Sequence, residues 1–197
     1  MPFLRPLSRH GQLNAMIRYV QMNPARLATK RLKPGFICVQ PDIDLAGRIY
    51  SGVGNTKLLM SARFVQVHVS HDLVDKANAG NPQPLREYMD GCIAAARQGA
   101  VLVSPFISKH EKEILSILLA EHLPFILLTD NGFRDYYKPS DALFDAVDAG
   151  NVLILSPFRH DPSKRGITRS ECVALNGMAE EICFFLPDSA SSLNFPV

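Results

Sequence analysis

Between Ala100 and Pro157 three short apolar runs alternate with helical stretches, and this alternation limits the fold more than any other feature of the chain. Ala100-Val-Leu-Val-Ser104 follows Gly99. Pro124-Phe-Ile-Leu-Leu-Thr129 and Asn151-Val-Leu-Ile-Leu-Ser156 are the second and third runs. Ser108-Lys-His-Glu111 opens a helix, with the serine and glutamate spaced as a capping box. Asp141 to Ala149 is a second helix, closed by Gly150. Strands of this buried type, separated by helices, predict an α/β fold with an open, mostly parallel sheet and helices on both faces.

The flanks extend the pattern. Arg63 to Ser70 is β-branched and reads as the first strand of the sheet, with Ser70 as the N-cap of a short helix. Pro84 to Gln98 is a helix with Leu85, Tyr88, Met89, Cys92, Ile93 and Ala96 on one face. Thr168-Arg-Ser-Glu171 is a second capping box, opening a helix with Cys172, Leu175, Met178, Ala179 and Ile182 at helical spacing. Cys183-Phe-Phe-Leu186 reads as a further strand. Residues 63–197 thus form the main domain, and residues 1–62 a small N-terminal helical and β-hairpin appendage. In the appendage Leu13, Met16, Ile17 and Val20 make one helical stripe over Gln12 to Met22. Asn23-Pro24 is expected to break it and start a second helix, Pro24 to Leu32. Ile37 to Val39 and Gly47 to Tyr50 read as short strands, and Ser51-Gly-Val-Gly-Asn55 as a tight turn.

Charge is uneven. Residues 1–35 hold seven Lys and Arg and no acid, while 36–197 hold 14 basic and 19 acidic residues. A basic head on an acidic body points to an acidic polymer or an acidic partner surface. No apolar stretch reaches the roughly 18 residues that cross a bilayer, and no apolar leader is present, so no membrane contact and a cytoplasmic location are expected. Cys38, Cys92, Cys172 and Cys183 form no C-x-x-C pair, which argues against a zinc site and a disulfide scaffold. No metal or cofactor is expected.

Ile17-Arg-Tyr-Val-Gln-Met-Asn-Pro24 resembles the last helix of single-tyrosine HUH transposases, the group that includes REP-associated transposases. The resemblance covers about 25 residues. It implies DNA contact through Arg18, Tyr19, Arg26, Lys30 and Arg31, with Tyr19 at the position of that family's nucleophile. Of the family's His-hydrophobic-His metal motif only His10 precedes Tyr19, so the resemblance implies a transposase-derived DNA-binding segment lacking its metal histidines.

Residues 63–190 resemble the Rossmann-like domain of the DNA-processing protein A (Smf) family. The matching features, in order, are Val69-Ser70-His71, Val103-Ser104-Pro-Phe-Ile-Ser-Lys109, Gly132 to Leu143 with Tyr136 and Pro139, Gly150 to Pro157, and Ile167 to Leu175 with Arg169. The resemblance implies a Rossmann-like sheet and binding of single-stranded DNA or a nucleotide at its carboxyl edge. In open α/β sheets that edge is where ligands sit. Ser70, Ser104, Ser108, Lys109, Asn131, Gly132, Ser156, Arg159, Thr168 and Arg169 fall there. Helix N-termini at Ser108 and Thr168 favour anions, Arg134 and Lys138 add charge, and Phe133, Tyr136 and Tyr137 offer rings for base stacking. A nucleoside monophosphate hydrolase using Asp130 or Asp135, and a homo-oligomeric module, are the other expectations. No complete catalytic constellation is legible.

Overall fold

The computed structural model describes residues 11–32, 38–135 and 137–189. The chain separates into two units, Met1–Pro34 and Gly35–Val197. The first contributes one helix, α1 (Gln12–Leu32). The second runs β1 (Gln40–Leu45), β2 (Arg48–Gly54), a 3-10 turn (Thr56–Met60), β3 (Phe64–Gln66), α2 (His71–Asn78), α3 (Gln83–Arg97), β4 (Val101–Ser104), α4 (Lys109–Ala120), β5 (Phe125–Leu128), α5 (Asp141–Asp148), β6 (Val152–Ser156) and α6 (Arg169–Ser189).

The six strands form one sheet in the order β1-β2-β6-β5-β4-β3. β3, β4, β5 and β6 are mutually parallel neighbours, and β2 and β1 add antiparallel on the β6 side. This is the expected α/β, Rossmann-like architecture with a mostly parallel sheet. The parallel strands follow one another in chain order, so their crossovers all step the same way. Right-handed crossovers that step one way place their helices on one face. Val67, Leu102, Phe125, Val152 and Ile154 accordingly pack with α3, α4 and α5 side chains such as Ile93, Ile114, Leu118 and Val147. The alternate residues Val101, Val103, Ile126, Leu128, Leu153 and Leu155 face the other way, onto Leu175, Met178, Ala179 and Ile182 of α6. Every residue of β4 and β6 is buried, which explains why these strands read as unbroken apolar runs.

Four expectations change. Asn23-Pro24 does not divide α1, which continues through Pro24. Proline removes one amide donor and crowds the preceding turn, and here the helix-favouring Ala25-Arg-Leu-Ala28 stretch carries it onward. Ser51 to Asn55 is not a turn. Ser51 to Gly54 end β2 and Asn55 caps the 3-10 turn; Gly54, at φ +119°, lets the backbone approach Val152 so closely that a Cβ would lie 2.2 Å from its carbonyl oxygen. The hairpin β1–β2 therefore extends the main sheet, with β2 paired to β6. Cys183 to Leu186 is not a strand but part of α6, with Ile182 and Leu186 continuing the stripe begun at Leu175. β3 is also shorter than Arg63 to Ser70, although Val67 N–H still donates to the Val103 carbonyl at 3.0 Å.

No helix among the described residues is long and apolar enough to cross a membrane. The strand Ile37 to Val39 lies partly outside the described residues, as does Tyr136. So do the side chains of Arg18, Tyr19, Arg26 and Lys30, whose backbone runs in α1 with that of Arg31.

Candidate functional site

Parallel strands bring the ends of β3, β4, β5 and β6 to one edge, and the rim expected there is built by two versions of one chain pattern. After β4 the sequence reads Ser104-Pro-Phe-Ile-Ser-Lys-His-Glu111. After β6 it reads Ser156-Pro-Phe158, then eight residues, then Ile167-Thr-Arg-Ser-Glu171. The hydrogen bonds match as well. The Phe106 amide donates to Ser104 Oγ at 3.0 Å, and the Phe158 amide to Ser156 Oγ at 3.2 Å. Glu111 and Ser108 exchange capping bonds of 2.9 and 3.2 Å, and Glu171 and Thr168 exchange bonds of 2.8 and 3.3 Å. Aligning the chain with itself would have exposed this repeat.

The repeat changes what the rim serines do. Ser104 and Ser156 are fully buried and hold turns. Ser70 caps α2, accepting from the Leu73 amide at 3.4 Å. Both expected anion-binding helix ends carry a carboxylate from their own helix. Glu111, 3% exposed, accepts from the amides of Val69, Ile107 and Ser108 at 3.0, 2.8 and 2.9 Å, and His68 Nδ1 lies 3.9 Å from it. Glu171 accepts from the Thr168 amide and hydroxyl and from Lys164. At the starts of α4 and α6 the cap-residue and third-residue amides are thus paired internally, and each start already carries a negative charge of its own. Lys109 is exposed and 3.9 Å from Glu113, and Arg159 and Arg169 are exposed.

The eight residues Arg159–Gly166 separate the second copy from the first, and they build a cleft. Their Asp161-Pro-Ser-Lys-Arg-Gly166 part reads as basic and mobile in sequence, but it is tied down. Asn131 Nδ2 donates to the Asp161 carbonyl at 2.9 Å, and its Oδ1 accepts from the Asp161 amide at 2.8 Å. His160 Nδ1 donates to the Gly132 carbonyl at 3.2 Å, since that oxygen can only accept. A Cβ on Gly132 would lie 2.4 Å from the His160 nitrogen and 2.4 Å from the Phe158 oxygen, so the two loops meet backbone to backbone. Asp161 Oδ1 accepts from the Ser163 amide and hydroxyl at 2.8 and 2.6 Å. Lys164 reaches inward to Asp130, at 3.3 Å, and to Glu171.

Between the loops lies a cleft of about 550 Å³. Phe133 and Tyr137 form an edge-to-face pair in it, with ring centroids 4.7 Å apart. Arg134, Lys138, His160 and Lys164 line it, with Asp161 as the one acid among the described lining residues. Arg134 is exposed and has no side-chain partner among the described residues. Of the ten rim residues expected to meet phosphate, Asn131 and Gly132 line the cleft; the others cap helices, hold turns or stand on the surface nearby. The missed lining residues Thr129, His160, Asp161, Pro162 and Lys164 come mostly from the loop, whose role depends on a pairing with Asn131 that is 30 residues away in sequence. No family model, curated protein or solved structure matches the chain.

Asp130 is engaged by Lys164, and Asp135 is exposed on the loop. Burial raises the Tyr137 hydroxyl above the usual phenol range. Lys164, with the Thr168 amide and hydroxyl, holds the Glu171 carboxyl at about 2, against an ordinary value of 4.5. A carboxyl depressed in the folded state stabilises the fold above its unfolded pKa, and that contribution fades as pH falls. The window is therefore from about 4.5 down to about 2. Lys164→Met is expected to flatten the acid limb of melting temperature against pH across that window. An unchanged limb would show that the Lys164–Glu171 pair does not form in solution.

Proposed function

We propose that the chain binds single-stranded nucleic acid through the β5/β6 cleft, with bases against Phe133 and Tyr137 and phosphates against Arg134 and Lys138. One juxtaposition supports this reading: an aromatic pair and two cations share a cleft at the carboxyl edge of a mostly parallel sheet. Aromatic rings take any base, because every base has a π-face, and neighbouring cations follow the backbone. The two closed helix ends favour a strand over a free nucleotide. A terminal phosphate dianion is best held by converging amides at a helix N-terminus, and at both ends here a carboxylate, Glu111 or Glu171, is bonded to the cap-residue amide, where its charge opposes a dianion. Diester phosphates, each with one charge, need only exposed side-chain cations.

Fluorescence anisotropy with a labelled oligodeoxynucleotide tests this. Two or three phosphate contacts predict a log–log salt slope of about −1.4 to −2. Phe133→Ala is expected to weaken binding about tenfold through lost stacking. Removing the Arg134 side chain, which has no hydrogen-bond or ion-pair partner among the described residues, by Arg134→Ala should weaken it and reduce the slope. Salt-independent binding, or full affinity in both variants, would remove the cleft from consideration.

A further inference from the structure

The acid that lines the cleft has no structural task for its second oxygen. Asp161 Oδ1 takes both bonds from Ser163, while Oδ2 has no partner among the described residues. The residue is exposed, its backbone is fixed by the paired bonds to Asn131, and Asn131 is two residues from Phe133. An acceptor is therefore held at a set place beside the aromatic pair.

We propose that Asp161 selects bases that carry an exocyclic amine, favouring cytosine over thymine in the cleft. This rests on the single-strand reading above and adds to it a chemical preference. A carboxylate can only accept, and cytosine presents an amino donor where thymine presents a carbonyl oxygen. At that place thymine would set oxygen against oxygen, and its one donor on that edge, N3–H, is flanked by two carbonyl oxygens. The same negative charge repels phosphate, which leaves the backbone to Arg134 and Lys138 on the opposing loop. The hydrogen bonds from Ser163, helped by nearby Lys164, hold the Asp161 carboxyl below its ordinary range, so it stays ionised at neutral pH.

The test compares labelled oligo-dC with oligo-dT of equal length by anisotropy at one low salt concentration. The two pyrimidines have rings of one size, so stacking differs little. Wild type is expected to bind oligo-dC about tenfold more tightly. Asp161→Asn keeps an acceptor for Ser163 but turns an amide donor into the cleft. It is expected to abolish or reverse the preference while raising overall affinity, because a charge that repels phosphate is gone. A residue that merely shaped the loop would change both affinities in proportion. Equal wild-type affinities, a preference for oligo-dT, or a dC preference that survives Asp161→Asn would overturn base selection and leave strand binding standing. Failure of both oligomers to bind would overturn the single-strand reading itself, and this inference with it.

Discussion

Glu111→Ala is expected to lower the unfolding free energy by about 3 kcal/mol, because it strands three amide donors, one buried and two half-buried. The carboxylate ties the Val69 amide at the end of β3 to the Ile107 and Ser108 amides before α4. Each buried donor left unpaired costs about 1–3 kcal/mol, partly recovered as the site relaxes and admits water. That is a large share of the roughly 5–15 kcal/mol by which a domain is stable. The same region holds Phe106 in the left-handed region, at φ +47°, where a bulky residue is seldom found. The Ser104 bond and the edge contact of Phe106 with Phe125, at 5.8 Å between centroids, keep it there. Urea titration of the full chain measures the effect. Glu111→Gln should recover part of the loss, since its single carbonyl oxygen replaces one acceptor of two. A loss below about 1 kcal/mol for the alanine variant would mean that water or a rearranged loop replaces the carboxylate.

Gly132→Ala is expected to cost about 3 kcal/mol and to eliminate cleft binding together with it. Its added carbon would sit 2.4–2.6 Å from backbone atoms of Phe158, Arg159 and His160. Backbone cannot rotate aside as a side-chain tip can, so the two loops must part. Parting them also breaks the Asn131–Asp161 pair and the His160 bond to the Gly132 carbonyl. Gly91→Ala is the matched control. A Cβ there meets nothing within 4 Å, and the position is inside α3, where alanine is preferred. Thermal melts and oligonucleotide anisotropy on both variants separate a local clash from a general intolerance of larger residues. Unchanged stability and binding in Gly132→Ala would show that the loops do not meet so closely in solution.

Local patterns carried the main sheet. Val101 to Ser104, Phe125 to Leu128 and Val152 to Ser156 are strands because their apolar runs are buried on both faces. Ser108 and Thr168 cap helices as their spacing predicts. The failures share a cause. Whether Ser51 to Asn55 turns or pairs depends on β6, about 100 residues onward, and the Phe184-Phe185 stretch is decided by the face that Ile182 and Leu186 present to the sheet. Local propensity cannot report such distant partners. The rim was legible as an edge but not as a cleft. Ser108 and Thr168 reveal helix ends, whereas occupation of those ends by Glu111 and Glu171 follows from where the carboxylates fold. The Arg159–Gly166 loop showed its charge in sequence, but not that Asn131 and Gly132 would hold it in place.

The duplicated Ser-Pro-Phe unit has a consequence for how such a chain can diversify. The protein carries its own undecorated counterpart of the decorated junction, with strand end, turn serine and capped helix start alike in both. Loop length between Phe158 and Ile167 is therefore a variable the scaffold tolerates by construction. Grafts of other lengths and compositions at that one seam offer a route to new ligands that leaves the strands beneath unaltered.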